Sequence, residues 1–260
     1  MTILQRATIL FDAWRNRKNI EKAHSTMREV SIAKWFMLTG VQPKKGDYPL
    51  PPNYRTQLLL RLGWIDDFKK FADMLPEKVK HTLLIGDSLS DFARKELTSV
   101  DTRLNLAMAG QASSFYDAIL RDTAKALEGI EIKYLIIECW GNELLSYFDL
   151  EDVKFHVART INKARSMYPN AKLIIAGLPP VYDVYVNIVK VEFTQHLMNL
   201  VNQDSNACLV LLEKHFAGSF GIFPKIEFSS DGVHFSGDGI ILFDKLLEQA
   251  KTTNEKVIGY

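Results

Sequence analysis

Five short apolar runs, each followed by a longer amphipathic segment, constrain the fold of this chain more than any other feature. The runs lie at 82–86, 103–108, 133–139, 172–177 and 208–213. The amphipathic segments lie at roughly 90–98, 113–128, 150–167, 184–203 and 237–251. Strands that are apolar throughout and alternate with helices are typical of a parallel sheet covered on both faces. The pattern therefore predicts a doubly wound α/β domain with five strands.

The first 80 residues show a different pattern. Residues 1–40 contain no proline and no glycine before Gly40, and apolar residues recur there at helical spacing. The stretch 40–54 contains four prolines and a second glycine, which is typical of a connector. Residues 55–75 again show helical spacing. We therefore predict a mainly helical extension over 1–80, followed by an α/β domain over 81–260.

The composition excludes several classes of protein. Apolar residues make up 47% of the 260 residues, which suffices for a folded core and excludes global disorder. Cys139 and Cys208 lie in apolar runs, so they indicate core thiols of a reducing compartment and no disulfide framework. No stretch reaches the ~18 apolar residues of a membrane span, and the N-terminus lacks the features of a secretory signal. These observations predict a cytoplasmic protein.

The formal net charge of +1 conceals an uneven distribution of charge. Residues 1–80 carry 15 Lys and Arg against 8 Asp and Glu, whereas residues 81–260 carry 17 against 23. The near-neutral total does not indicate a nucleic-acid partner. We expect the basic extension to pack on the acidic domain or to expose a solvated basic face. The alternative is that residues 1–45 contact an anionic surface or glycan.

A serine follows directly after the first predicted strand, in the sequence IGDSLS at 85–90. Ligands of open α/β sheets bind beyond the carboxyl ends of the strands. Ser88 also lies at a predicted helix N-terminus, where backbone N–H groups and the helix dipole can stabilise a developing oxyanion. Asp and Ser are common helix N-caps, so the motif alone is also consistent with a capped helix and no chemistry.

A serine nucleophile needs a base, and His234 is the best candidate. Asp231 lies three residues before it, so one short loop can present both side chains and the carboxylate can orient the imidazole. Each of the other five histidines lacks an Asp within the three preceding positions. The alternative interpretation is a turn in which Asp and glycine take their usual turn roles.

Two further strand ends offer donors for an oxyanion. Gly110 follows the second predicted strand, where the missing Cβ lets a backbone N–H approach closely. Asn142 follows the third and can present a side-chain amide. A turn glycine and an Asn helix cap are the alternatives. Four strand-end loops that each supply a group required for acyl transfer favour the catalytic interpretation.

The sequence resembles the SGNH hydrolases, also called GDSL esterases/lipases, in four blocks: GDSL at 86–89, Gly110, Asn142 and DGVH at 231–234. The resemblance covers about 81–250. It implies a flavodoxin-like three-layer α/β/α fold and the hydrolysis of esters and thioesters without a metal or other cofactor.

The resemblance also implies a role for each matching residue. Ser88 is then the nucleophile, His234 the base and Asp231 the residue that orients His234. The N–H groups of Ser88 and Gly110 and the side chain of Asn142 then form the oxyanion hole.

The third block departs from the family pattern. The family has Gly-x-Asn-Asp, whereas this sequence has Trp140-Gly-Asn-Glu143. We expect the tryptophan to narrow the substrate pocket. Pro180 and Tyr182 resemble a loop that lines the substrate site in the family, although two adjacent prolines also simply end a strand.

Two alternative functions stay open. The GDSLSD sequence at 86–91 resembles the last, magnesium-binding motif of haloacid-dehalogenase-type phosphatases, and Asp12 superficially resembles their nucleophile. That alternative leaves Asp231 and His234 without a role. The altered third block also permits a binding module that has lost turnover. We predict a serine esterase or lipase-type hydrolase that acts on a small-molecule ester or an acylated lipid or glycan.

Overall fold

The computed structural model describes residues 54–146, 148–218, 223–229 and 231–259. Three predictions fall outside these ranges: the helix over the first 40 residues, the connector up to residue 53, and the anionic-surface contact of 1–45. Among the described helices, none is long and apolar enough to cross a membrane.

A parallel sheet of five strands organises the described part of the chain, in the order β1-β2-β3-β4-β5. The strands are β1 (Thr82–Gly86), β2 (Tyr134–Glu138), β3 (Lys172–Ala176), β4 (Ala207–Val210) and β5 (Val257–Ile258). The helices are α1 (Tyr54–Phe71), α2 (Glu77–Lys80), α3 (Ser88–Phe92), α4 (Ser113–Ala126), α5 (Gly141–Leu145), α6 (Leu150–Met167), α7 (Val184–Asn202), α8 (Glu213–Phe216) and α9 (Gly237–Thr252). The predicted α/β class with a five-stranded parallel sheet is confirmed.

Burial on both sides of the sheet explains why its strands are apolar throughout. Every residue of β1 is buried, as is every residue of β4. Helix α4 packs against α6 and α6 against α7, while α9 packs on β3, β4 and β5. Helix α1 packs on α4, so residues before the sheet contact its helical layer.

The second predicted strand, 103–108, is where prediction and structure differ. This segment runs parallel to β1, with Leu106 N–H donating to Leu84 O at 2.8 Å, but only one bridge forms, between Leu84 and Asn105. Leu84 N–H also donates to Leu104 O at 3.1 Å and Met108 N–H to Gly86 O at 3.0 Å, so the segment lies along β1 without forming a regular strand. The Asn105 side chain accepts a hydrogen bond from Ala107 N–H at 3.0 Å. The fifth strand is instead β5, and its two residues are too few to produce a periodic signal.

Helix α9 is tied to the segment after α3 by a set of hydrogen bonds that we call the clasp, formed by Thr98, Ser99, Asp244 and Lys251. The Asp244 carboxylate accepts from Thr98 N–H at 3.1 Å and from Ser99 N–H at 3.0 Å. Lys251 Nζ donates to Ser99 O at 2.5 Å and to Lys78 O at 3.3 Å. The clasp therefore joins residues about 150 positions apart in the chain.

Candidate active site

The serine predicted as nucleophile is the first residue of α3, directly beyond the carboxyl end of β1. Asp87 caps this helix, and its Oδ1 accepts from Leu89 N–H at 3.1 Å. Its Oδ2 accepts from Gly141 N–H at 3.0 Å, which ties the end of β1 to the loop after β2. A Cβ at Gly86 would lie 2.8 Å from Glu138 O, so glycine allows the close approach of β1 and β2 here.

Ser88, His234 and Asp231 form a continuous hydrogen-bonded chain. His234 Nε2 lies 3.0 Å from Ser88 Oγ, and His234 Nδ1 lies 2.7 Å from Asp231 Oδ2. The two ring nitrogens thus have different partners, and the carboxylate fixes the proton on Nδ1 so that Nε2 is free to accept. The structure brings together three residues that lie in separate parts of the sequence, in the geometry of a nucleophile, a base and a residue that orients the base.

Local hydrogen bonds hold the loop that presents the base. Asp231 Oδ1 accepts from the N–H groups of Val233 at 2.9 Å and of His234 at 2.7 Å. Gly232 has a φ of +82°, and the Tyr182 ring lies so close that a Cβ on Gly232 would be 1.9 Å from it. Only glycine fits this position, both for its backbone conformation and for the space beneath the ring.

The hydrogen bonds to Asp231 set its charge state. Partial burial raises the pKa of Asp231, but the hydrogen bonds from the His234 ring and from the N–H groups of Val233 and His234 outweigh it. The net pKa lies below the ordinary value. Asp231 is therefore ionised at neutral pH, as a residue that stabilises an imidazolium must be.

The two residues predicted as oxyanion donors lie in loops that are bonded to each other. Gly110 has a φ of +76° and is exposed. Asn142 Nδ2 donates to Gln111 O at 2.9 Å, which fixes the orientation of its amide and leaves the second hydrogen on Nδ2 for another acceptor. Helix α5 thereby holds the loop that carries Gly110.

Glu143, the departure from the family's aspartate, has an anchoring position. Its side chain is fully buried and Oε1 accepts from Ser113 N–H at 2.6 Å, at the N-terminus of α4. Ala112, at the N-cap of that helix, has no side-chain cap of its own. Burial raises the pKa of Glu143 to about 7, although the bonds from Ser113 lower it. Glu143 therefore binds α5 to the start of α4, next to the segment that carries Gly110.

A second buried carboxyl group is bonded to α3, the helix that begins at Ser88. Glu138, at the end of β2, is fully buried, and its Oε2 accepts from Ser90 Oγ at 2.9 Å. Burial and the nearby charge of Asp87 raise the pKa of Glu138 well above its ordinary value. Burial likewise raises the pKa of Asp87, to about 6, against the hydrogen bonds from Leu89 and Gly141.

The three residues predicted to line the substrate site differ in position. Trp140 has no exposed surface and packs edge-on against Phe193 of α7, with ring centroids 6.0 Å apart. A side chain without exposed surface offers nothing to a bound substrate, so this position does not support the expectation that Trp140 narrows a substrate pocket. Pro180 is buried as well. Tyr182 is 49% exposed and lies over Gly232, beside the loop that carries the base.

Phe92 is an exposed residue of the site that sequence reasoning missed. Its ring centroid lies 4.8 Å from that of His234, and 59% of the residue is exposed. The signal was present in the sequence, because Phe92 follows Ser88 by four residues and so lies on the same face of α3.

Asp91, the second acid of the motif that resembles a phosphatase, is bound to other protein groups. Its Oδ1 accepts from Arg94 at 2.7 Å, and its Oδ2 accepts from Ala109 N–H at 3.0 Å. In the described ranges, no group of three or more His, Cys, Asp or Glu side chains could hold a metal ion. The observed partners of Asp91 give it a structural position between α3 and the Gly110 loop.

Solved structures share this fold at low sequence identity. A GDSL-like lipase from Bacteroides thetaiotaomicron VPI-5482 aligns with a TM-score of 0.54 and 12% identity, covering 74% of this chain and 98% of that chain. A protein assigned to the lipolytic G-D-S-L family from Desulfitobacterium hafniense DCB-2 gives 0.51 and 14%, covering 65% and 99%. TesA gives 0.50 and 20%, covering 67% and 99%.

No protein-family model matches this sequence, and no curated protein matches it. The structural likeness nevertheless confirms the predicted fold. The described part of the chain has the α/β fold of the SGNH hydrolases.

Proposed function

We propose that this protein is a serine hydrolase that cleaves carboxylic esters. The observation that carries the proposal is the chain of contacts from Ser88 Oγ to His234 Nε2 at 3.0 Å and from His234 Nδ1 to Asp231 at 2.7 Å. This chain lies beyond the carboxyl end of β1, where ligands of open α/β sheets bind. The shared fold of a GDSL-like lipase supports an ester as the substrate.

The reaction proceeds through an acyl-enzyme. His234 Nε2 takes the hydroxyl proton as Ser88 Oγ forms a bond to the carbonyl carbon, and Asp231 stabilises the imidazolium. The tetrahedral intermediate then loses its alcohol, because the bond to the alkoxy oxygen breaks and that oxygen takes the proton from His234. Water attacks the acyl-enzyme while His234 takes its proton, and the carboxylic acid leaves as the proton returns to Ser88 Oγ.

The developing oxyanion needs donors that are already in place. In the proposal these donors are the N–H groups of Ser88 and Gly110 and the side-chain amide of Asn142. The position of Ser88 at the start of α3, the positive φ of Gly110 and the free hydrogen on Asn142 Nδ2 support these roles. No cofactor has a part in this chemistry.

The substrate is a small-molecule ester or an acylated lipid or glycan. Two exposed aromatic rings, Phe92 against His234 and Tyr182 over Gly232, support an ester with an apolar group. Cytoplasmic residence belongs to the same proposal, because Cys139 and Cys208 are buried free thiols, as in proteins of a reducing compartment.

Fluorophosphonate labelling followed by peptide mapping tests the proposal. A fluorophosphonate should modify Ser88 and abolish the hydrolysis of p-nitrophenyl acetate, because the reagent reacts with a serine that a base activates. Ser88→Ala should remove the label, whereas Ser166→Ala, at an exposed serine of α6, should label like the wild-type protein. An unlabelled but folded protein would indicate a binding module, and turnover of p-nitrophenyl phosphate without labelling would indicate a phosphatase.

A further inference from the structure

Arg61 lies on α1, outside the sheet, and its side chain contacts two segments that adjoin the candidate site. The residue is 8% exposed, and its Nη2 donates to Ala107 O at 2.9 Å. The same nitrogen lies 3.4 Å from Asp91 Oδ1. A guanidinium buried in this way has to be held by specific partners, since its desolvation is costly.

The partners of Arg61 belong to the two segments that carry Ser88 and Gly110. Asp91 lies on α3, less than one turn after Ser88, and its Oδ2 accepts from Ala109 N–H at 3.0 Å. Ala107 and Ala109 lie within the three residues before Gly110. Arg61 therefore contacts both the helix of the nucleophile and the loop of the predicted oxyanion donor, and Asp91 connects the two.

Arg94 and Trp64 complete this support. Arg94 donates to Asp91 Oδ1 at 2.7 Å and to Ala107 O at 2.6 Å. The Trp64 ring faces both guanidinium groups, with Arg61 at 4.0 Å and Arg94 at 4.6 Å from its centroid. Stacking on an aromatic face stabilises a desolvated cation, and Asp91 balances part of the charge. Two residues of α1 thus have partners that lie 30 or more positions later in the chain.

We propose that Arg61 is a positioning residue of the candidate active site, holding the loop that bears Gly110 at a fixed distance from Ser88. Helix α1 is then part of the catalytic unit, and the boundary of that unit lies before Tyr54 instead of at residue 81. The effect on turnover rests on the proposed function, whereas the effect on the loop does not.

Kinetics of Arg61 variants test the role in turnover. Arg61→Ala should lower kcat for p-nitrophenyl acetate by about 10- to 100-fold. A displacement of a catalytic group by about 1 Å has an effect of that order. KM should change far less, since Arg61 does not touch substrate. Arg61→Lys should recover part of kcat, because an ammonium can donate to Ala107 O but cannot also stack on Trp64.

Two further measurements separate positioning from a loss of stability. Millimolar guanidinium should restore kcat of Arg61→Ala by occupying the cavity, which a general destabilisation would not allow. Lys70→Ala is the matched control, because Lys70 lies on the same helix, is exposed, and pairs with Asp67 of that helix. Its kcat should equal that of the wild-type protein, with all values normalised to sites titrated by fluorophosphonate.

Hydrogen exchange of the peptide 104–112 tests the role in loop position without any activity. Its amides should exchange faster in Arg61→Ala and in Arg61→Lys, while those of β3 stay protected. An unchanged exchange rate, or a kcat equal to that of Lys70→Ala, would overturn the inference. If the wild-type protein hydrolyses no ester and does not label, the proposed function fails, and the exchange data alone then decide whether Arg61 positions the loop.

Discussion

The carboxyl groups on the two sides of the candidate site differ in burial and in the direction of their pKa shifts. On the nucleophile side, at Ser88, the carboxyl groups of Asp87, Glu138 and Glu143 are buried, and burial raises the pKa of each. On the base side, the Asp231 side chain is 54% exposed and its pKa is lowered. The carboxylate whose charge the proposed reaction needs is therefore in contact with water, which stabilises the ionised form. The buried carboxyl groups serve instead to hold backbone segments together.

Asp231→Asn removes the charge on the base side and should have the largest effect. An amide at this position favours the wrong imidazole tautomer, so kcat should fall by on the order of 10³–10⁴. Thermal stability should change little, since the site is exposed. Steady-state kinetics and a melting curve check both points, with Asp238→Asn, an exposed acid of α9, as the control. A loss below tenfold would show that Asp231 does not orient the base.

Asn142→Ala tests the side of the candidate site that contains Ser88. If the Asn142 amide binds the oxyanion, kcat should fall by on the order of 10²–10³. The control is Asn199→Ala, at an exposed residue of α7 whose side chain accepts a hydrogen bond from Gln195 of the same helix. A change in kcat below threefold would remove Asn142 from the oxyanion hole and leave it only its bond to Gln111.

Glu143→Gln should alter stability as a function of pH. Because burial raises the pKa of Glu143 from 4.5 to about 7, the folded state binds more protons than the unfolded state between those values. The free energy of unfolding therefore falls as pH rises through this window, by about 3 kcal/mol in total at about 1.4 kcal/mol per pKa unit.

The glutamine variant does not titrate, so its unfolding free energy should lack that part of the decline. Urea unfolding at a series of pH values measures the difference from the wild-type protein. Glu131→Gln, at an exposed residue, should follow the wild-type curve. Parallel curves for Glu143→Gln and the wild-type protein would contradict the assignment of a buried, titrating carboxyl group.

Phe92→Ala should have the smallest effect, because the residue supports the His234 ring only from one side. Aromatic contacts contribute about 0.5–1.5 kcal/mol, so kcat should fall about two- to tenfold. Phe92→Leu should retain more activity because it keeps an apolar side chain against the imidazole. Phe155→Ala, at another exposed ring on α6, is the control. Equal activity of the Phe92 and Phe155 variants would exclude a role in holding His234.

The sequence was most informative where structure depends on neighbouring residues. Alternating apolar runs and amphipathic segments predicted the parallel sheet and the bounds of α6 to within a residue. The same pattern was less accurate at 103–108, which bonds to β1 but forms a single bridge, and it missed β5, which has two residues. Periodicity predicts that a run is buried, but not whether its backbone completes a regular ladder.

The candidate site shows the same limit. Ser88, Asp231 and His234 could be picked out because each lies in a local motif, and the structure places them in contact. The contact of Arg61 with Ala107 could not, because it joins segments 46 residues apart that show no shared pattern. The side on which Trp140 packs was equally unreadable, since an apolar residue after a strand can point into either the core or the site.

The clasp has a consequence for the order in which this protein is made. Synthesis begins at the N-terminus, so α1, β1 and Ser88 are complete long before the loop with Asp231 and His234 exists. Helix α9 then has to dock through Asp244 and Lys251 onto residues near 98, which were made about 150 residues earlier. A nascent chain that ends before residue 231 therefore carries the serine without its base. Reactivity at Ser88 should arise only when α9 has closed on the sheet, long after the serine itself has been made.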